Sequence, residues 1–292
     1  MTEPVVLVVG SLHYDIMVQT AALPRRDETA IGSRWFPKFG GKGGNQAVAA
    51  RKAGGTARMC GAVGQDDFGR FLRQSLQACG VEDRFVATLP DVSSGMSVAI
   101  VDASGDYAAT IVSGANLLIS PDALGDPALW DGVAVLVLQN EVPEAVNLAA
   151  ARQARVRGIP ILLNAAPFRQ MSQDFCALVD ILVVNRIEAE MMGSDPVMSL
   201  QSAADAALKL ASRFSAVIVT AGAQGLAAWS ATDDALVIPA TEVKVVSSHG
   251  AGDAFTGTLA TRLALGDGFE AACRAASAAA ARHVGGLSVV SD

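Results

Sequence analysis

The run Ser247-Ser248-His249-Gly250-Ala251-Gly252-Asp253 holds the densest candidate chemistry in this 292-residue chain. Gly250 and Gly252 permit a tight turn and let another group approach the backbone closely. The residues after Asp253 (Ala254, Phe255, Leu259, Ala260, Leu263) have helical spacing. The N–H groups of Gly250, Ala251 and Gly252 are therefore expected at a helix N-terminus, where unpaired amides and the helix dipole receive an anion. A carboxylate at the mouth of such a hole repels the anion and needs a reason to stand there. A general base beside a phosphoryl-transfer site is one reason. A plain helix cap is the other.

Further candidates lie upstream. Asp15 and Glu141 follow expected core strands, and a carboxylate accepts several hydrogen bonds, which suits vicinal hydroxyls. Either alone is equally readable as a turn or cap residue. Gly40-Gly41-Lys42-Gly43-Gly44-Asn45 looks like a phosphate loop but lacks the GxxxxGK[ST] spacing, so no P-loop nucleoside triphosphatase is inferred. Gly41 lets the backbone approach a ligand, and Lys42 and Asn45 can bond hydroxyls. In Asn185-Arg186-Ile187-Glu188 the acid could hold hydrated Mg²⁺, which uses few carboxylates. Thr220-Ala221-Gly222-Ala223-Gln224-Gly225 reads as a turn after a strand. His13, His249 and His283 form no metal-binding pattern and read first as surface or loop residues. Ser11 and the cysteines show no nucleophile–base pairing.

These residues need a scaffold, and the pattern supplies one. Val5–Val9 is a continuous apolar run, as in a buried parallel strand. Strands are expected at 57–64, 133–138, 159–163, 181–184 and 216–220, with helices near 45–54, 67–79, 144–157, 200–214, 253–265 and 268–284. Apolar strands alternating with helices imply a parallel sheet covered on both faces. Ligands bind beyond the C-terminal ends of such strands. The loops holding Asp15, Glu141, Asn164, Asn185 with Glu188, and Thr220 with Gly222 therefore converge on one crevice. Segments 12–40 and 92–113 read as hairpins projecting from that core, the second turning at Ala103-Ser104-Gly105-Asp106. A late hairpin turns at Thr232-Asp233-Asp234.

Composition excludes several classes. Hydrophobic residues are 51% and charged residues 17%, enough for a large core and too apolar for a disordered chain. The net charge is −7 with no Lys/Arg cluster, which excludes a nucleic-acid partner. Cys60, Cys79, Cys176 and Cys273 lack metal-site spacing and read as reduced thiols of a cytoplasmic protein. Glu3 falls where a signal peptide would be basic, and Arg274 and Arg282 interrupt the Ala-rich stretch near 271–281. Neither a signal peptide nor a membrane span is expected.

Gly10-Ser11-Leu12-His13-Tyr14-Asp15, the stretch from Phe39 to Ala49, Asn185-Arg186-Ile187-Glu188 and Gly250-Ala251-Gly252-Asp253 fall in the order seen in the ribokinase-like (PfkB) carbohydrate kinases. The chain resembles that family from Val5 to about Gly286, and the second stretch is most similar to its ribokinase branch. The resemblance implies one α/β domain over residues 1–292, a Rossmann-type three-layer sandwich with a small β-sheet lid built from about 12–40 and 92–113. The lid often forms a homodimer contact in this family. ATP- and Mg²⁺-dependent transfer of a phosphoryl group to a sugar hydroxyl is implied. By position, Asp253 resembles the family's catalytic base, and Gly250, Ala251 and Gly252 its anion hole. His13, Asp15, Gly41, Lys42, Asn45 and Glu141 resemble sugar-side positions. Asn185, Thr220, Gly222, Gly225 and Ser277 resemble nucleotide-side positions, and Glu188 the Mg²⁺-linked acid.

Three departures stand out. His13-Tyr14 replaces a smaller pair before Asp15, placing a larger ring near the sugar. Ser247 replaces an Asp associated with a bound monovalent cation, which puts K⁺ activation in question. Ser277 replaces a His beside the adenine. The implied reaction is transfer of the ATP γ-phosphoryl group to a primary hydroxyl of a small sugar such as ribose. A nucleoside kinase on the same scaffold, with Trp35, Phe36 and Phe39 near a base, and a non-catalytic sugar-binding regulator remain as alternatives.

Overall fold

A computed structural model describes residues 3–104, 106–232 and 235–286. Gly105, Asp233 and Asp234 of the two expected turns, and the chain beyond Gly286, lie outside the described residues.

The apolar run Val5–Val9 forms strand β1 and is buried throughout. Because strand side chains alternate between faces, it feeds two cores. Leu7 and Val9 belong to one apolar cluster, and Val6 and Val8 to the other. The same alternation recurs in β4 (Thr56–Gly64), β8 (Val133–Gln139), β9 (Ile161–Asn164), β10 (Ile181–Asn185) and β11 (Ala216–Thr220). With β5 (Glu82–Leu89), β12 (Gly225–Ser230) and β13 (Leu236–Pro239) they form a nine-stranded sheet of order β13-β12-β11-β10-β9-β8-β1-β4-β5. Pairing is parallel except at β11–β12 and β12–β13.

Helices cover both faces. Helices α3 (Glu144–Val156), α4 (Gln173–Cys176), α5 (Arg186–Met191) and α6 (Leu200–Leu210) contribute to the first cluster through Val146, Phe175, Ala189 and Ala207. Helices α1 (Lys42–Lys52), α2 (Asp67–Ala78), α7 (Ala251–Ala264) and α8 (Phe269–Val284) contribute to the second through Ala47, Leu72, Leu259 and Ala276. The result is the expected three-layer α/β sandwich. Strand β5 and helix α5 were not anticipated. The charged start of β5 (Glu82, Asp83, Arg84) masks the strand pattern and fits its place at the sheet edge.

A second sheet of order β3-β2-β6-β7 stands at the C-terminal end of β1. It comprises β2 (His13–Thr20), β3 (Gly32–Gly40), β6 (Met96–Val101) and β7 (Tyr107–Val112), matching the expected projecting hairpins. Only Leu12 and two further residues separate β1 from β2, so the first residues of the small sheet hang directly over the crevice.

Helices α1 and α7 pack backbone to backbone. A Cβ on Gly257 would lie 2.3 Å from the Gln46 carbonyl oxygen and 2.6 Å from Ala49 Cβ. Thr261 Oγ1 donates to the Ala50 carbonyl at 3.1 Å one turn further along. Gly257 thus sets the helix separation. Gly257→Val is expected to cost about 2 kcal/mol or more by overpacking this seam. A urea denaturation midpoint equal to wild type would contradict that seam.

Candidate active site

The glycine-rich segment owes its composition to packing. Gly41 has φ 85°, and a Cβ there would lie 2.8 Å from the Ser11 carbonyl oxygen, Leu12 Cα and His13 N. A Cβ on Gly43 would lie 2.6 Å from Ser11 N. The loop after β1 therefore rests on the first turn of α1, and that helix begins at Lys42 rather than at the expected Asn45. Glycines at 43 and 44 belong inside the helix because tertiary contact outweighs their poor helix propensity. Asn116 clamps the same loop, accepting from Leu12 N and donating to Leu12 O, both at 2.9 Å.

This arrangement gathers the sugar-side candidates. The Glu141 carboxylate follows β8 and accepts from Ser11 Oγ at 2.5 Å and Lys42 N at 2.8 Å. It sits at the N-terminus of α1, where the helix dipole favours an anion. His13 Nδ1 is 4.0 Å from the same carboxylate. His13 is not the surface residue expected: it is 4% exposed, and its Nε2 has no hydrogen-bond partner among the described residues. Asp15 is buried and accepts from Ser97 Oγ at 2.5 Å across β2–β6. Gly40 must lack a side chain because a Cβ would fall 2.1 Å from Asp15 Oδ2.

Gly250 begins α7 at φ 86°, the left-handed region that favours glycine. The first amides of a helix have no intrahelical acceptor; in this turn Ala251 N donates to the Ser248 carbonyl at 3.3 Å. Asp253 does not cap this helix end. Its carboxylate turns to α1 and accepts from Gln46 Nε2 at 2.9 Å and Asn45 Nδ2 at 3.2 Å. Desolvation pushes the Asp253 carboxyl up to about 6, against the lowering pull of Lys42, Gln46 and Asn45 and with a small rise from Glu141. A buried carboxylate poised near neutrality suits proton transfer.

On the other side of Ala251 and Gly252 lies a cavity of about 610 Å³. Thr220, Gly222, Gly225 and Ser277 line it, so four nucleotide-side candidates meet there. Its further walls are largely apolar, including Leu226 and Phe255. Asn185 is not among the lining residues. It caps α5 instead: its Oδ1 accepts from Glu188 N and Glu188 Oε2 accepts from Asn185 N, each at 2.9 Å. That reciprocal pair is a capping box, the local reading of an N-x-x-E spacing. Glu188 is buried, and burial raises its carboxyl while the Asn185 N–H and the Lys42 charge oppose the rise.

Lys42 thus bears electrostatically on Asp253 and Glu188 together. It also bears on His249, whose ring is open at the surface yet held below its ordinary value. The causes are desolvation first, then Lys38 against an opposing Asp15, with Lys42 and His283 adding to the depression. Sequence reasoning brought Asn164 to the crevice as a strand-end residue but missed Gln46, Ser11, Ser97 and Asn116 as members of this network. Gln46 and Ser11 carried a signal, each lying inside one of the motifs, whereas Ser97 and Asn116 carried none.

Comparison with known proteins agrees with this geometry. The profile of the pfkB family carbohydrate kinases matches residues 4–290. The ribokinase of Mus musculus is 35% identical over 263 residues, 89% of this chain and 81% of that protein. The ribokinase of Bacillus subtilis is 34% identical over 280 residues, 96% of this chain and 92% of that protein. The structure of Arabidopsis thaliana ribokinase complexed with ribose and ATP superimposes with a TM-score of 0.89 at 27% identity, covering 97% of this chain and 93% of the other. The match spans both the crevice motifs and the two-sheet scaffold that positions them, and the chain belongs to the pfkB family of carbohydrate kinases.

Proposed function

We propose that this ATP-dependent carbohydrate kinase phosphorylates a primary hydroxyl of a small sugar such as ribose, with Asp253 as the base. The observation that carries the reading is the position of Asp253. It is buried between the amides that border the 610 Å³ cavity and the Asn45–Glu141 side of the crevice. The sugar lies under the small sheet, which acts as a lid. Asp15, Glu141, Lys42 with Asn45, and the Gly41 backbone hold its hydroxyls, and the orphan Nε2 of buried His13 supplies a further polar contact. Leaving that nitrogen unpaired is costly, which supports a hydroxyl-bearing ligand beside it. The nucleotide occupies the cavity lined by Thr220, Gly222, Gly225 and Ser277, while Asn185 supports the site through α5.

Asp253 accepts the proton of the attacking hydroxyl as that oxygen bonds to the γ-phosphorus and the bond to the ADP oxygen breaks. The amides of Gly250, Ala251 and Gly252 stabilise the charge on the transferring group. Closure of the lid excludes water and limits ATP hydrolysis. Glu188 fits a hydrated Mg²⁺ bound through water, because its buried carboxylate has acceptor capacity beyond the one Asn185 N–H it takes. When bound, Mg²⁺ neutralises phosphate charge. The residues do not fit a monovalent cation equally well. Ser247 offers no carboxylate, the His249 carbonyl lies 2.9 Å from His283 Nε2, and the Val284 carbonyl already accepts from Val246 N and Ser247 N.

The widely spaced cysteines support a reducing, cytoplasmic setting. A homodimer through the lid sheet is supported by Trp35 on β3 and Ile111 on β7, exposed at 63% and 58%.

An ADP-release assay is expected to favour ribose and related pentoses over adenosine, inosine and pseudouridine, with a flat response to K⁺. Strong activation by K⁺, or a preference for nucleosides, would contradict the reading of this crevice. Asp253→Asn should lower kcat by about 10³-fold or more through loss of the base and misalignment of the nucleophile. A fall of only a few-fold would remove Asp253 from the mechanism. The same substitution should affect stability in the opposite sense. The folded-state value near 6 lies above the 3.8 of a solvent-exposed carboxyl in the unfolded chain, so the wild-type carboxylate loses stability as pH rises from 4 to 6. Asp253→Asn should therefore match wild type in urea at pH 4 and exceed it at pH 7.5, by at most about 3 kcal/mol. A variant less stable at pH 7.5 would contradict the burial cost.

A further inference from the structure

Gln46 sits on α1 with no exposure to solvent. One nitrogen of its amide makes two bonds, at 2.9 Å to Asp253 Oδ1 and 3.1 Å to Asn164 Oδ1. Two acceptor oxygens facing the same atom fix the amide orientation, since only the NH₂ end can donate to both. The carbonyl end is then forced into the interior, and Gln46 Oε1 is a buried oxygen with no partner among the described residues. Such an orphan is unfavourable for folding, and an apolar side chain of the same volume would avoid it. That cost stands against the two bonds the NH₂ end makes, both to buried acceptors that border the crevice.

The arrangement makes the two oxygens of Asp253 unequal. Oδ1 is held from inside by Gln46, which is tied through Asn164 to β9, and Asn164 Nδ2 reaches the Val183 carbonyl of β10 at 3.3 Å. Oδ2 takes only the longer bond from Asn45, a residue less buried than Gln46. The Gln46 backbone is fixed as well, because its carbonyl forms the floor on which Gly257 of α7 packs. A side chain anchored to the sheet, to α1 and to the seam with α7 has little freedom to follow a moving carboxylate, so the carboxylate follows it.

We propose that Gln46 is the positioning residue of the reaction: by holding Asp253 Oδ1 it turns Oδ2 toward the substrate hydroxyl as the proton acceptor. This rests on Asp253 being the base. Gln46 has no exposure to the crevice solvent, so its effect on the reaction passes through the carboxylate it holds. The electrostatic direction agrees, since the Gln46 bond favours the ionised carboxylate against the desolvation that opposes it.

The test combines Gln46→Met with Asp253→Asn, singly and together. Met keeps the volume, removes the donor and removes the orphan carbonyl. Gln46→Met is expected to lower kcat roughly 10- to 100-fold, with the KM for sugar changed about two-fold at most if the contact is not to substrate. The acidic limb of its pH–rate profile should move up by about one unit. In the Asp253→Asn background it should have no further effect on kcat. Wild-type kcat and profile in Gln46→Met would overturn the proposal, and so would an equal loss in both backgrounds, which marks a purely structural role. If Gln46→Met does not fold, Gln46→Glu serves, because a carboxyl 2.9 Å from Asp253 must raise the acidic limb further; an unmoved limb overturns the proposal. Failure of the base reading is separate: Asp253→Asn would then keep activity within a few-fold whatever Gln46 does.

Discussion

The contact of α1 with α7 is the constraint on which the crevice depends. The Gly40–Asn45 motif opens α1, and the Gly250–Asp253 motif opens α7. Nothing in the chain order brings them together, since about two hundred residues separate Asn45 from Asp253. The bonds from Asn45 and Gln46 to Asp253 close that gap. They hold only because the two helices approach closely at Gly257, with Thr261 tied to the Ala50 carbonyl below. A carboxylate that would otherwise ionise freely in water is carried into the interior by this packing and given fixed donors.

The same economy of contact explains the glycines. Gly41 and Gly43 let the loop after β1 lie on the start of α1, and this brings Ser11 and Lys42 N onto Glu141. A side chain at either glycine would separate the Glu141 carboxylate from the start of α1, whose Lys42 N–H it accepts. A segment that imitates a phosphate loop is thus a packing surface, while the left-handed turn at Gly250 opens the other helix. The Lys42 charge then links the parts, since Asp253, Glu188 and His249 all respond to it.

Much of this was legible in the sequence, for physical reasons. Val5–Val9 and its fellow strands are apolar on both faces, so the parallel sheet and its two helical layers follow directly, and strand-end loops must then meet. Thr220, Gly222, Gly225 and Ser277 do share one cavity. What could not be read depends on long-range geometry. The start of α1 was displaced because glycines at 43 and 44 are poor helix formers, and only the loop they pack against reveals why they stand there. Strand β5 hides behind Glu82, Asp83 and Arg84. Asn185 and Glu188 resemble ligand positions, yet the spacing they share is also that of a capping box, and no local pattern separates the two. His13 reads as a loop residue until β2 buries it. Gln46 looks like one more polar residue of a helix until α7 is packed against it.

The central claim is that Asp253 is a buried carboxylate held by α1 in readiness to take a proton. The most direct measurement is a ¹³C NMR titration of the Asp253 carboxyl carbon in the ligand-free protein, assigned by comparison with Asp253→Asn. The account predicts a midpoint of about 6, well above the 3.8 of an unperturbed aspartate. A midpoint at or below 3.8 would mean that the carboxylate is solvated or charge-paired, and would contradict the account.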